Sequence, residues 1–113
     1  MPPKHNPLKL NPLQLKTLAI LQEMAHSPAT ASAIENDEVL ISNIPKPHGN
    51  HFHVGRRIVM TKDASGLENE AVWVALERRG LARSMHPMAI ALTKAGQEYP
   101  TGIAEQILLG SDH

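Results

Sequence analysis

The feature that most constrains this chain is a stop. Residues 68–79 are good helix formers without a proline, and Gly80 follows them. A glycine there supplies the left-handed position that commonly ends a helix. Arg78 and Arg79 fall in the last turn, where cations complement the carbonyl end of the helix dipole. Leu81 stands directly after the glycine, the place for an apolar residue that packs back on the helix end. Residues 81–83 and 89–92 then read as two short strands, with His86-Pro87 as the turn between them. Thr93 reads as the N-cap of a further helix.

This order resembles the second half of a winged-helix domain. The matching residues are Val72, Trp73 and Leu76 before Glu77-Arg78-Arg79-Gly80-Leu81, then Ile90 to Leu92 and Thr93-Lys94-Ala95-Gly96. In bacterial winged-helix regulators, the MarR-like group among them, a recognition helix ends in such a Gly-Leu turn. A two-stranded wing follows, and a Leu-Thr-x-x-Gly step leads into the next helix. The resemblance covers residues 66–96. It implies an α+β, winged-helix-like domain in which residues 68–79 form the recognition helix.

Composition sets the outer limits. A chain of 113 residues makes one domain with a single modest core. Apolar residues are 42% of it and aromatics only 3%, so that core must be aliphatic and methionine-filled. Cysteine is absent, which excludes disulfides, thiolate metal sites and cysteine nucleophiles. No apolar run is long enough to span a membrane, and the start lacks the apolar block of a signal peptide. The expected location is cytoplasmic. The formal net charge is zero. That counts against DNA binding, because most such domains carry a basic excess to meet phosphate.

Residues 1–11, with prolines at 2, 3 and 7, read as a loose N-terminal arm. Residues 12–109 read as the domain and 110–113 as a frayed end. Asn11 is a good N-cap and Pro12 suits the first helical position. The helix they open runs to about Ala25, with Leu13, Ile20, Leu21 and Met24 as its core stripe. Residues 29–35 suit a short helix. Residues 39–44 alternate like a strand, residues 46–50 are turn-like, and residues 51–60 read as a second strand kinked at Gly55. Residues 39–60 are therefore expected to form a hairpin, inserted or atypical, ahead of the recognition-type helix. The alternative puts residues 56–61 in the short helix that a winged helix carries there. Beyond Gly96, Thr101 is expected to cap a last helix that contains Ile103, Ile107 and Leu108.

Two groups of residues carry chemistry. His48, His51 and His53 lie close together, and in a strand His51 and His53 share a face. Three imidazoles could hold Zn²⁺ or a similar nitrogen-seeking ion. The cofactor expectation is otherwise none. The H-x-H pair also suits a cupin, but the glutamate expected shortly after it is replaced by Val54-Gly55-Arg56-Arg57, and that family is set aside. The second group is basic: Arg56 and Arg57, then Arg78, Arg79, Arg83, His86 and Lys94. With Asn69 on the recognition helix, these are the candidate DNA contacts, Arg83, His86 and Arg79 lying on the wing side. Against that stands the helix itself. Glu68 and Glu70 would repel phosphate, and Leu67, Ala71, Val72, Val74, Ala75 and Leu76 spread apolar surface around much of it. Such a helix is buried on more than one side. Trp73 and Val74, with Ile103, Ile107 and Leu108 of the last helix, are the candidate interface residues, for a homodimer or another chain; Trp73 equally suits the core, and the last helix could simply close it.

These observations support two main function classes. One is a small DNA-binding regulator of transcription, homodimeric, docked by its recognition helix and wing. The other is a winged-helix-like module for protein interaction, without DNA. A metal-dependent sensor or enzyme built on the histidines ranks third. No serine sits in a nucleophile elbow and no glycine-rich phosphate loop is present, so the chain does not read as an enzyme.

Overall fold

The computed structural model describes residues 6–46 and 49–110. Its first helix, α1 (Pro12–Met24), is the axis of the core. Asn11 and Gln14 close a capping box: Asn11 Oδ1 accepts from the Gln14 N–H and Gln14 Oε1 accepts from the Asn11 N–H. Such a cap contributes about 1 kcal/mol. Leu15, Leu18, Ala19, Ile20, Leu21 and Met24 are all buried. Burial thus runs around α1 instead of along the single stripe expected, and Leu13 is only half-buried. The cause is tertiary, because other elements pack against α1 from several directions.

One side of α1 faces the helix α2 (Glu70–Arg78) and the 3₁₀ turn Ser65–Glu68 that precedes it. Gly66 makes the approach feasible, since a Cβ there would lie 1.9 Å from Thr17 Oγ1. Helix α2 begins two residues later than the sequence suggested, because Asn69 takes the N-cap and accepts from the Ala71 N–H. It stops where expected. Gly80 has φ +76° and Leu81 is 1% exposed against the helix end.

The strands form two sheets. One is four-stranded and antiparallel, in the order β1 (Ala31–Ala33), β2 (Val39–Ile41), β6 (Ala89–Leu92), β5 (Ala82–Met85). Its inner face buries Ile41, Ile90 and Leu92 completely. The second sheet is the hairpin β3 (His51–Val54) and β4 (Arg57–Met60), which turns at Gly55, φ +58°. Phe52, Val54 and Val59 point from it into the core.

This arrangement corrects three expectations. Residues 39–60 are not one hairpin, because β2 is flanked on both edges by β1 and β6 and has no edge left for residues 51–60. Those residues fold on themselves through Gly55-Arg56, a two-residue connection that closes at low entropic cost. Residues 29–35 are not helical. They enter β1 and then the 3₁₀ turn Glu35–Asp37, where Asn36 and Asp37 take left-handed φ values of 62° and 61°, which short polar side chains tolerate. Residues 56–61 are not a helix: Arg56 completes the turn, Arg57–Met60 is strand, and the 3₁₀ turns Thr61–Asp63 and Ser65–Glu68 lead into α2 instead.

Thr93 caps α3 (Lys94–Glu98) as expected, accepting from the Gly96 N–H at 3.1 Å and donating to the Gly80 carbonyl at 2.7 Å. The last helix, α4 (Ala104–Ile107), has no side-chain cap. Thr101 is buried ahead of it instead of capping it. Leu109 then pairs with Ile58 on the outer edge of β4 through two backbone hydrogen bonds of 2.9 and 3.1 Å. The described part of the N-terminal arm is tied down: Leu10 is buried, the Leu8 N–H donates to Tyr99 Oη at 3.0 Å, and Tyr99 Oη donates to Asn6 Oδ1. Among the described residues no helix is long and apolar enough to cross a membrane.

Candidate functional site

Helix α2 with its caps and the β5–β6 hairpin carry Asn69, Trp73, Val74, Arg78, Arg79, Arg83 and His86 of the residues singled out from sequence. Val72, Trp73 and Leu76 turn inward, and the outward side presents Glu70, Ala71, Val74, Ala75 and Arg78. Trp73 is anchored at both ends of its ring system. Its Nε1–H donates to the Gly66 carbonyl at 3.1 Å, and the His86 ring meets it edge-on with centroids 4.5 Å apart. His86 therefore staples the hairpin tip to α2. The tip is also closed by the Met88 N–H donating to the Met85 carbonyl at 2.9 Å, and its His86–Pro87 peptide is cis. Met85 and Met88 face solvent, 42% and 77% exposed. A cleft of about 330 Å³ at the base of the tip is lined by Ile44, Pro45, Leu67, Glu68, His86 and Pro87, with Lys46 at its rim.

The candidate DNA contacts divide into engaged and outward-facing groups. Asn69 is engaged as a cap. Arg83 donates twice to Glu38 Oε1, from Nε at 2.9 Å and from an Nη at 2.6 Å. Glu38, chiefly through this hydrogen bond and also through its charge, raises the Arg83 pKa above its ordinary value, with a smaller contribution from Glu77. Arg57 donates to the Leu108 and Leu109 carbonyls, at 3.0 Å for Leu109, and so holds the C-terminal segment on β4. Arg56, Arg78, Arg79 and Lys94 are exposed and form no ion pair among the described residues. The Thr93–Gly80 hydrogen bond joins the end of α2, next to Arg79, to the start of α3, next to Lys94.

His51 and His53 lie on the exposed face of β3, their ring centroids 6.3 Å apart. His51 Nδ1 is 2.8 Å from Asn50 Oδ1. The third histidine of the proposed zinc set, His48, lies outside the described residues. Among the described residues no three His, Cys, Asp or Glu side chains converge as a metal site.

Four of the five interface candidates are buried within the chain. Trp73, Ile103, Ile107 and Leu108 are 1, 8, 5 and 4% exposed and close this chain's own core, so docking through them would require that core to open. Val74 is half-buried on the outward side of α2. Sequence reasoning missed Met85 and Met88, although two methionines flanking His-Pro in a turn were a legible signal. It also missed Glu38, whose pairing with Arg83 depends on strands distant in sequence. No family model, curated protein or solved structure matches this chain.

Proposed function

We propose that this protein is an interaction module on a winged-helix-like scaffold, which docks another polypeptide through the outward side of α2 and the β5–β6 tip. The scaffold reading is supported by a helix stopped at Gly80, a two-stranded hairpin, a Thr93-capped helix, and α1 packed behind α2. One observation carries the functional reading. The elements that would meet DNA present Ala71, Val74, Met85 and Met88, while Arg83 and Asn69 are held by partners within the chain. A tip that exposes two methionines offers apolar contact area, and methionine suits varied apolar surfaces.

The test is a photo-crosslinking residue placed at Met88 in cells, compared with the same residue at the exposed Lys62. A discrete protein adduct from position 88 and not from 62 is expected. Equal adducts from both positions would overturn the module.

Transcription regulation through DNA is the second reading, favoured by the exposed cations Arg78, Arg79 and Lys94 on either side of the Gly80–Thr93 hydrogen bond. Three phosphate contacts would give a slope of about −3 in log affinity against log salt. A titration with random duplex DNA at low and moderate salt separates the readings. Binding that is salt-sensitive, and weakened by Arg78→Ala with Arg79→Ala, would select DNA. Its absence at low salt would leave the protein module.

A further inference from the structure

The outer face of the β3–β4 hairpin carries a ligand set that neither functional reading uses. Because β3 alternates, Phe52 and Val54 enter the core and His51 and His53 project outward. Registry adds a third group. Met60 is the cross-strand partner of His51, and direct partners in an antiparallel pair stand on one face with Cβ atoms about 5 Å apart. Ile58 faces His53, and Leu109 continues the same row beyond it. Two imidazoles and a thioether therefore stand together beside apolar side chains.

We propose that His51, His53 and Met60 form a copper site. Metal–nitrogen bonds of about 2 Å place an imidazole centroid about 3.2 Å from its ion, so two rings on one ion have centroids about 5 to 6.5 Å apart, depending on the angle between them. The observed separation of 6.3 Å falls within that range. Asn50 provides an outer-shell partner. Its Oδ1 accepts from the His51 Nδ1–H at 2.8 Å, which leaves Nε2 as the metal-binding nitrogen and holds the ring in orientation. The chemistry of the set selects the ion. No Asp or Glu occurs between Val39 and Lys62, so the hairpin itself offers no carboxylate to the hard ions Ca²⁺ and Mg²⁺. Imidazole nitrogen joined to thioether sulfur suits copper, with the soft sulfur favouring Cu⁺. The hairpin is pinned beneath by Phe52, Val54 and Val59, so the ligands sit on a fixed platform.

The experiment titrates the full chain with Cu⁺ anaerobically against a chromophoric competitor, and with ZnCl₂ in parallel. One equivalent of Cu⁺ is expected to bind. Met60→Leu, which keeps the volume, should lower Cu⁺ affinity at least tenfold and leave Zn²⁺ affinity within about twofold. His51→Ala or His53→Ala should abolish stoichiometric uptake of both ions. A wild-type readout covers the case in which a variant does not fold: sub-stoichiometric Cu²⁺ should broaden the NMR ring signals of His51 and His53 before those of His26 and His86. Absence of stoichiometric Cu⁺ binding, unchanged Cu⁺ affinity in Met60→Leu, or equal broadening of His26 and His86 alongside His51 and His53 would each overturn the site.

Discussion

The β3–β4 and β5–β6 hairpins both join two four-residue strands, yet they are supported in opposite ways. The tip and the α2 side of the β5–β6 hairpin lean on sequence neighbours, and only the outer edge of β6 pairs with distant chain, β2. Helix α2 comes just before it, His86 stacks against Trp73, the Ser84 N–H donates to Glu77 Oε1, and Thr93 returns a hydrogen bond to Gly80. The β3–β4 hairpin leans on distant chain. Phe52 and Val54 reach toward α1, and the edge of β4 is covered by Leu109, held there by Arg57. Locally braced structure can be read from a short window of sequence. Structure braced from a distance cannot, because the bracing residues are dictated by the path of the whole chain.

Four substitutions sharpen this contrast. Removing the Phe52 side chain, 3% exposed in the core, should have the largest effect. Phe52→Ala should cost about 4 kcal/mol in denaturant unfolding, as a large cavity does. A loss under about 1 kcal/mol would mean that the hairpin is not part of the cooperative core. Next comes Gly96→Ala. The new Cβ would lie 1.9 Å from the Leu81 carbonyl oxygen, a backbone atom with little room to give. Thermal unfolding should register a destabilisation of about 3 kcal/mol, the upper end for overpacking.

Third is Arg57→Ala, which strips charged hydrogen bonds from two carbonyls and should cost about 2 kcal/mol. Hydrogen exchange should show the Leu109 and Ile58 amides losing protection while those of β6 keep theirs. If β6 opens equally, the two hairpins are not independently supported. Arg83→Ala should matter least, because an exposed pair with one carboxylate is screened by solvent. Its unfolding midpoint should stay within experimental error of wild type, and a clear shift would show that the Glu38 pair organises the sheet edge.

Legibility of the candidate site followed the same division. The tip of β5–β6 was visible as a turn at His86-Pro87, and the identity of its exposed residues was there to be read. What the sequence left hidden was that His86 is stapled to Trp73 and that Met85 and Met88 face outward. Arg83 and Arg57 looked equivalent to Arg78 and Arg79 as phosphate contacts. Only the fold revealed that two of the four are engaged by a carboxylate and by backbone carbonyls.

The sequence by itself determined the punctuation of this protein. Asn11-Pro12, Gly80 and Thr93 each fix a helix boundary through the hydrogen bonds and backbone angles of their nearest neighbours. It also determined that His51 and His53 share a face, since strand periodicity is a local property. The tertiary structure decided which strands pair. β2 went to β6, nearly fifty residues on, because that pairing buries Ile41 against Ile90, a gain that no short window of chain can display. It likewise placed Met60 opposite His51 and turned Ile107 of the last helix into the core. Registry and burial are set by how all the apolar surfaces close together.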